Sequence, residues 1–114
     1  MANAAQRKVR EFVAASGFAT SLEAHVLDLA SEVGELAKAW LEATGYGKRA
    51  VNDVRAMRDE LGDALYSLLV VANQLEVDVD ELLDTTLNKY AQRHRASPEP
   101  GLAGAGDLRE ISGR

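Results

Sequence analysis

Ser31-Glu32-Val33-Gly34-Glu35-Leu36 and, further along, Asp59-Glu60-Leu61-Gly62-Asp63 are two copies of one pattern, an acid, an apolar residue, a glycine and a second acid. Acids three residues apart share a face only if the chain is helical. The flanking residues predict helix. At about 100° per residue, Leu22, Val26, Leu29, Val33, Leu36, Ala37 and Trp40 gather on one arc, with Glu32 at its rim and Glu35 just outside. The second segment repeats the layout with Val54, Met57, Leu61, Ala64, Leu65, Leu68, Val71, Ala72 and Leu75, where Glu60 takes the rim and Asp63 lies beyond it. The acids are therefore expected to border a core. One acidic pair on a helix is ordinarily a solvated feature. Two phase-matched copies on antiparallel neighbours bring four carboxylates together, and such a cluster is tolerable only with a counter-charge.

Around this pair the chain divides into four helical segments. The first spans roughly Ala4 to Ala15, marked by Val9, Phe12 and Val13, and Ser16-Gly17 stops it. The second opens on the capping pattern Thr20-Ser21-Leu22-Glu23 and runs to about Ala43, where Thr44-Gly45-Tyr46-Gly47 breaks it. The third is expected from near Asn52 to about Glu76, and the fourth from Asp78-Val79-Asp80-Glu81 to near Arg95. No stretch carries the alternation of a strand. The expected fold is all-α, a four-helix bundle-like domain over residues 1–95, with residues 96–114, rich in Pro, Gly, Ala and charge, as a flexible tail.

Composition narrows the chemistry. With 114 residues, 46% of them apolar but only 5% aromatic, the chain can build one core, mainly from Leu, Val and Ala. Its net charge of −5 argues against a nucleic-acid polymer held on a basic surface. The absence of cysteine excludes thiolate catalysis, disulfides and Cys-type zinc sites. Two histidines, His25 and His94, are too few for a His-rich centre, and the Glu-x-x-His signature of di-iron bundles is missing, since Glu35 and Asp63 stand at i+3. An oxygen-only donor set suits Mg²⁺, with Mn²⁺ able to substitute. The first ten residues lack the apolar core of a signal peptide, and the run from Ala64 to Ala72 is too short to span a bilayer, so a cytoplasmic protein with no membrane partner is expected.

Two long apolar arcs flanked by shorter helices leave apolar surface to cover, and self-association would cover it. Gly34 and Gly62 each cost about 1 kcal/mol of helix propensity relative to alanine. A close helix approach on their face, or flexibility beside the acids, would explain them. Trp40 reads as core, His25 and Asp28 as polar rim residues. Tyr66 and Asn73 fall on the side of the third helix away from its arc, where they could touch a small ligand of a partner subunit or line an interface, and Lys38, Lys48 and Arg49 near the end of the second helix could close over a phosphorylated ligand.

Together the two motifs resemble the paired acidic signature of the MazG-like, all-α nucleoside triphosphate pyrophosphohydrolases, and the likeness covers most of Leu22 to His94. Ser31 stands where many members carry a further glutamate. Lys89 and Arg93 match the Lys-x-x-x-Arg that ends the family's last helix, while His94 replaces its tyrosine and Thr86 its common asparagine. The resemblance implies a MazG fold and Mg²⁺-dependent hydrolysis of a (d)NTP to (d)NMP and pyrophosphate, in the service of nucleotide-pool housecleaning. It implies metal binding by Glu32, Glu35, Glu60 and Asp63, with Glu32 or Glu35 activating water. Lys89 and Arg93 are the expected phosphate contacts, joined by Tyr66, Asn73 and Lys38 as candidate substrate residues. It also implies a homo-oligomer, a tetramer in preference to a dimer. The competing readings are a non-catalytic helical oligomeric module with a structural ion site, and a relative acting on another phosphate anhydride, dUTPase-like or phosphoribosyl-ATP pyrophosphohydrolase-like.

Overall fold

The computed structural model describes residues 3–18 and 20–96. Four helices follow one another, α1 (Ala4–Ser16), α2 (Leu22–Ala43), α3 (Arg55–Gln74) and α4 (Val79–Ala96), with no strand among the described residues. The fold is all-α, as the periodicity requires. The tail expected from residue 96 lies, from 97 to 114, outside the described residues.

Local chemistry sets the helix ends. Asn3 caps α1 by accepting the Gln6 N–H at 2.8 Å, and Gly17 closes it in a left-handed conformation at φ 73°. Ser21 caps α2 through its hydroxyl, which accepts the Ala24 N–H at 3.1 Å. After α2, Gly45, Tyr46 and Gly47 all take positive φ. Buried Thr44 braces this turn, its hydroxyl donating to the Trp40 carbonyl and accepting the Gly47 N–H, each at 2.9 Å. A side chain at Gly45 would meet only the tip of the flexible Arg49 side chain, so it is the left-handed φ of 58° that favours glycine there.

Helix α3 is shorter at both ends than the apolar pattern predicts. Asp53 turns its carboxylate onto the Arg55 backbone N–H at 2.9 Å and onto the Arg55 guanidinium at 2.8 Å, which holds residues 52–54 out of the helix. That guanidinium also holds the Asp53 carboxyl below its ordinary range. At the other end Glu76 adopts φ 57°. A left-handed residue ends the helix there.

The inward face of the α2–α3 hairpin differs from the expected arc. Among described residues the buried ones are His25 and Ala39 on α2 and Ala64, Ser67, Leu69, Val70 and Ala72 on α3. Val26, Val33 and Trp40 of α2, Leu61, Leu65 and Leu68 of α3, and Val54 and Leu75 flanking α3 remain about half exposed. Trp40 is thus not core and His25 is not a rim residue. Small side chains, Ala39, Ala64 and Ser67, let the two helices approach closely, and the half-exposed larger ones fall about 100° round each helix from them. Because the helices are antiparallel, both displaced stripes lie on one flank of the hairpin. Among the described residues nothing approaches Gly34 or Gly62 within 4 Å of where a Cβ would stand, so no close contact between them explains these glycines.

Helix α1 packs on α3 from the opposite flank. Gln6, wholly buried, donates to Asn73 Oδ1 at 3.1 Å and to the Val77 carbonyl at 2.7 Å, and its Oε1 accepts the Val79 N–H at 2.9 Å. Asn73 answers by donating to the Gln6 carbonyl at 3.1 Å. These bonds pin the turn that leaves α3. Contacts divide the chain after Val79. In the second unit, α4 has Asp80 and Glu81 in its first turn and Arg93, His94 and Arg95 in its last, the arrangement that favours the helix dipole. No described helix is long and apolar enough to cross a membrane.

Candidate metal centre

Glu32 of α2 and Glu60 and Asp63 of α3 each offer a carboxylate oxygen within 4.8 Å of the others. Glu32 and Glu60 are half-buried against the hairpin seam, and Asp63 is exposed. Small neighbours on that seam, Ala39, Ala64 and Ser67, keep the two backbones near enough for the acids to meet. Glu35 is exposed beside the cluster.

The cluster perturbs itself. Glu60 is pushed above its ordinary value of 4.5, first by loss of solvent and then by the negative charges of Asp63, Glu35, Glu32 and Asp59. The other three acids of the repeated motif, with Asp59, therefore act on the Glu60 carboxyl. Among the described residues no basic side chain pairs with Glu32, Glu60 or Asp63. An oxygen-only, uncompensated trio at this spacing fits a hard divalent cation such as Mg²⁺ and offers nothing to a metal that prefers nitrogen or sulfur. His25, seven residues before Glu32, does not join it. It is buried with Nε2 lacking a side-chain or backbone partner, beside a groove of about 270 Å³ lined by Val9, Val13 and Val70 among others.

The remaining candidates lie on α2, α3 and α4. Lys38 is exposed on α2 one turn beyond Glu35. Tyr66 lies one turn beyond Asp63 and meets the Phe12 ring edge-on, with centroids 6.0 Å apart. The Asn73 amide is engaged by Gln6 through both its oxygen and its nitrogen. That engagement gives Asn73 a structural task which its position on α3 did not announce. On α4, Lys89 and Arg93 bracket the Tyr90 ring, Nζ at 5.6 Å and the guanidinium carbon at 5.8 Å from its centroid. Sequence reasoning did not single out Phe18 or Gln6, and it treated Phe12 as an apolar mark of α1. The signal available was scarcity, because a chain with six aromatic side chains places two of them within seven residues at the end of α1.

Residues 20–97 match the model of the MazG nucleotide pyrophosphohydrolase domain. The chain belongs to the MazG family. It is similar to the crystal structure of the Bacillus-conserved MazG protein, a nucleotide pyrophosphohydrolase, with a TM-score of 0.62 and 28% identity over 75% of this chain and 83% of that one. It is also 34% identical over 68 residues to YpjD, an uncharacterized protein of Bacillus subtilis strain 168, a match covering 59% of this chain and 61% of that relative's length. The region matched by the MazG family model begins after α1 and contains both acidic motifs.

Proposed function

We propose that this MazG-family chain hydrolyses a nucleoside triphosphate to its monophosphate and pyrophosphate in a Mg²⁺-dependent reaction, with Mn²⁺ able to substitute. The observation that carries the proposal is the convergence of Glu32, Glu60 and Asp63 with no basic partner. Such a site repels a bare polyanion. Mg²⁺ held by Glu32, Glu60 and Asp63 would supply the positive charge that admits the phosphates and steadies charge developing on the departing oxygen. Glu35, beside the trio rather than within it, takes a proton from the attacking water while Glu32 helps orient it. The water oxygen bonds to the α-phosphorus, the bond from that phosphorus to the α,β-bridging oxygen breaks, and the bridging oxygen leaves on pyrophosphate. Lys89, Arg93 and Lys38 serve as phosphate contacts. Discarding unwanted triphosphates in the cytoplasm is the role this reaction would serve.

The exposed stripe on the hairpin supports a second element of the reading, a homo-oligomer whose smallest unit is a two-fold dimer closed through Val26, Val33 and Trp40 of α2 and Leu61, Leu65 and Leu68 of α3. A tetramer would be two such pairs.

A panel of ribo- and deoxyribonucleoside triphosphates, incubated with millimolar Mg²⁺ or Mn²⁺ and scored for monophosphate and pyrophosphate, tests the activity. At least one should be turned over, and Glu32→Gln, Glu35→Gln, Glu60→Gln and Asp63→Asn should each lower turnover at least about a hundredfold. A panel left intact by the wild-type chain would remove the hydrolase reading in favour of a structural ion site. Release of orthophosphate instead would relocate the attack away from the α-phosphorus.

A further inference from the structure

Half of the chain's six aromatic side chains meet in one place. Phe12 packs edge-on against both Phe18, at 5.7 Å, and Tyr66, at 6.0 Å, with interplanar angles of 71° and 86°. This is no core. Phe12 is 50% exposed and Phe18 61%. Edge-on packing turns the ring faces in different directions, so aromatic surface stays open to a cavity of about 220 Å³ lined by Lys8, Val9, Phe12 and Tyr66. Leaving two phenylalanines this wet forgoes the burial that folding would otherwise gain from them.

We infer that Phe12 and Tyr66, backed by Phe18 and rimmed by Lys8, form the platform on which the base of the triphosphate stacks. The inference deepens the hydrolase reading and rests on it for the identity of the ligand. Position carries it. Tyr66 follows Asp63 by three residues, one turn along α3 and about 5–6 Å away between Cβ atoms. A nucleotide whose α-phosphate lies at the acids carries its base about one sugar further on, and one turn along α3 is the step a sugar spans. Glu35 and Asp63 fall, by helical phase, on the flank of the hairpin where α1 packs, so the acids and the aromatic cluster open on the same side. The stripe assigned to a second copy lies on the other flank. Every base presents a π-face, so an aromatic platform suits a triphosphate whose base no sequence motif specifies. The Lys8 ammonium adds a donor at the rim, suited to a ring carbonyl or nitrogen. Phe12 and Phe18 precede the region matched by the MazG family model, and Tyr66 lies within it.

The test separates base from phosphate. Binding of the α,β-methylene analogue of ATP and of inorganic tripolyphosphate, each with Mg²⁺, is measured by calorimetry on the full chain and on Phe12→Leu, which keeps apolar bulk and removes the π-face, and Phe12→Trp, which enlarges it. Phe12→Leu should weaken the nucleotide analogue about tenfold, leave tripolyphosphate affinity unchanged and raise KM more than it lowers kcat. Phe12→Trp should restore or exceed wild-type affinity. Lys8→Ala should change the relative affinity of purine and pyrimidine analogues. Equal weakening of both ligands by Phe12→Leu, no weakening of either, or a halved mass in light scattering with nucleotide affinity intact would overturn the platform. Triphosphates that bind in a Phe12-dependent manner but are never cleaved would remove the hydrolase reading and keep the platform. Cleavage with KM insensitive to Phe12→Leu would do the reverse.

Discussion

Leu65→Lys should dissociate the proposed dimer into monomers. Eight Leu, Val and Trp side chains on one flank of the α2–α3 hairpin are about half exposed, Leu65 at 52% among them. Complete burial of such a side chain is worth about 1.5–3 kcal/mol, so covering the half still wet gains about 1 kcal/mol each. A two-fold pair covers both stripes, roughly 16 kcal/mol in all by the same scale. Association costs about 4–15 kcal/mol in lost freedom, and a micromolar complex needs a surplus of about 8 kcal/mol. The stripe is therefore of the size at which a dimer forms but has little to spare. In a two-fold interface Leu65→Lys acts twice, removing apolar burial and leaving two uncompensated charges near the seam, a loss of several kcal/mol. Light scattering at tens of micromolar should give the wild type a multiple of 12.3 kDa and Leu65→Lys that mass alone. A wild type that runs as a monomer, or a variant whose mass does not change, refutes the argument.

Three further outcomes follow from named groups. Since Glu60 binds its proton more tightly in the folded chain than in the unfolded one, metal-free protein should lose stability as pH rises from about the ordinary glutamate value through the raised one, and Glu60→Gln should flatten that slope in a thermal-melt series. With chelator replaced by Mg²⁺ the melting midpoint should rise with Mg²⁺ concentration by mass action, and equal midpoints in chelator and in millimolar Mg²⁺ would speak for solvated acids. Gln6→Ala deletes three side-chain hydrogen bonds at the α1–α3 corner, each worth about 1 kcal/mol, so urea unfolding should show a loss of roughly 3 kcal/mol, and a loss below about 1 would mean that water replaces the amide.

How much of this was legible depends on whether a feature is local. The all-α class, the Ser21 cap, the stop at Gly17 and the i, i+3 spacing of the acids are set by residues within a turn or two of one another, and pattern alone recovers them. The limits of α3 were less legible, because the apolar run continues through residues that Asp53 at one end and the left-handed Glu76 at the other remove from the helix. Gln6 escaped notice for the opposite reason. A glutamine on an exposed-looking turn becomes wholly buried only because Asn73, Val77 and Val79, some seventy residues away, present it with matched donors and acceptors.

The least legible property was which face of each long helix turns inward. Periodicity located an apolar arc on α2 and another on α3, and a lone domain is expected to bury its arcs. In this chain the hairpin seam is closed by Ala39, Ala64 and Ser67 instead, with Glu32 and Glu60 on it and the Leu and Val stripes about 100° away. That choice has a chemical logic. Helices separated by leucines would hold the acids too far apart to share an ion, whereas helices separated by alanine and serine bring three carboxylates within 4.8 Å of one another. Placing the small residues on the seam builds the acidic cluster, and the displaced leucines form the surface proposed above for a second copy. The exposed stripe and the crowded acids are thus two consequences of one arrangement, and a substitution such as Ala64→Leu, which would widen the seam, should weaken Mg²⁺ binding without touching any acid.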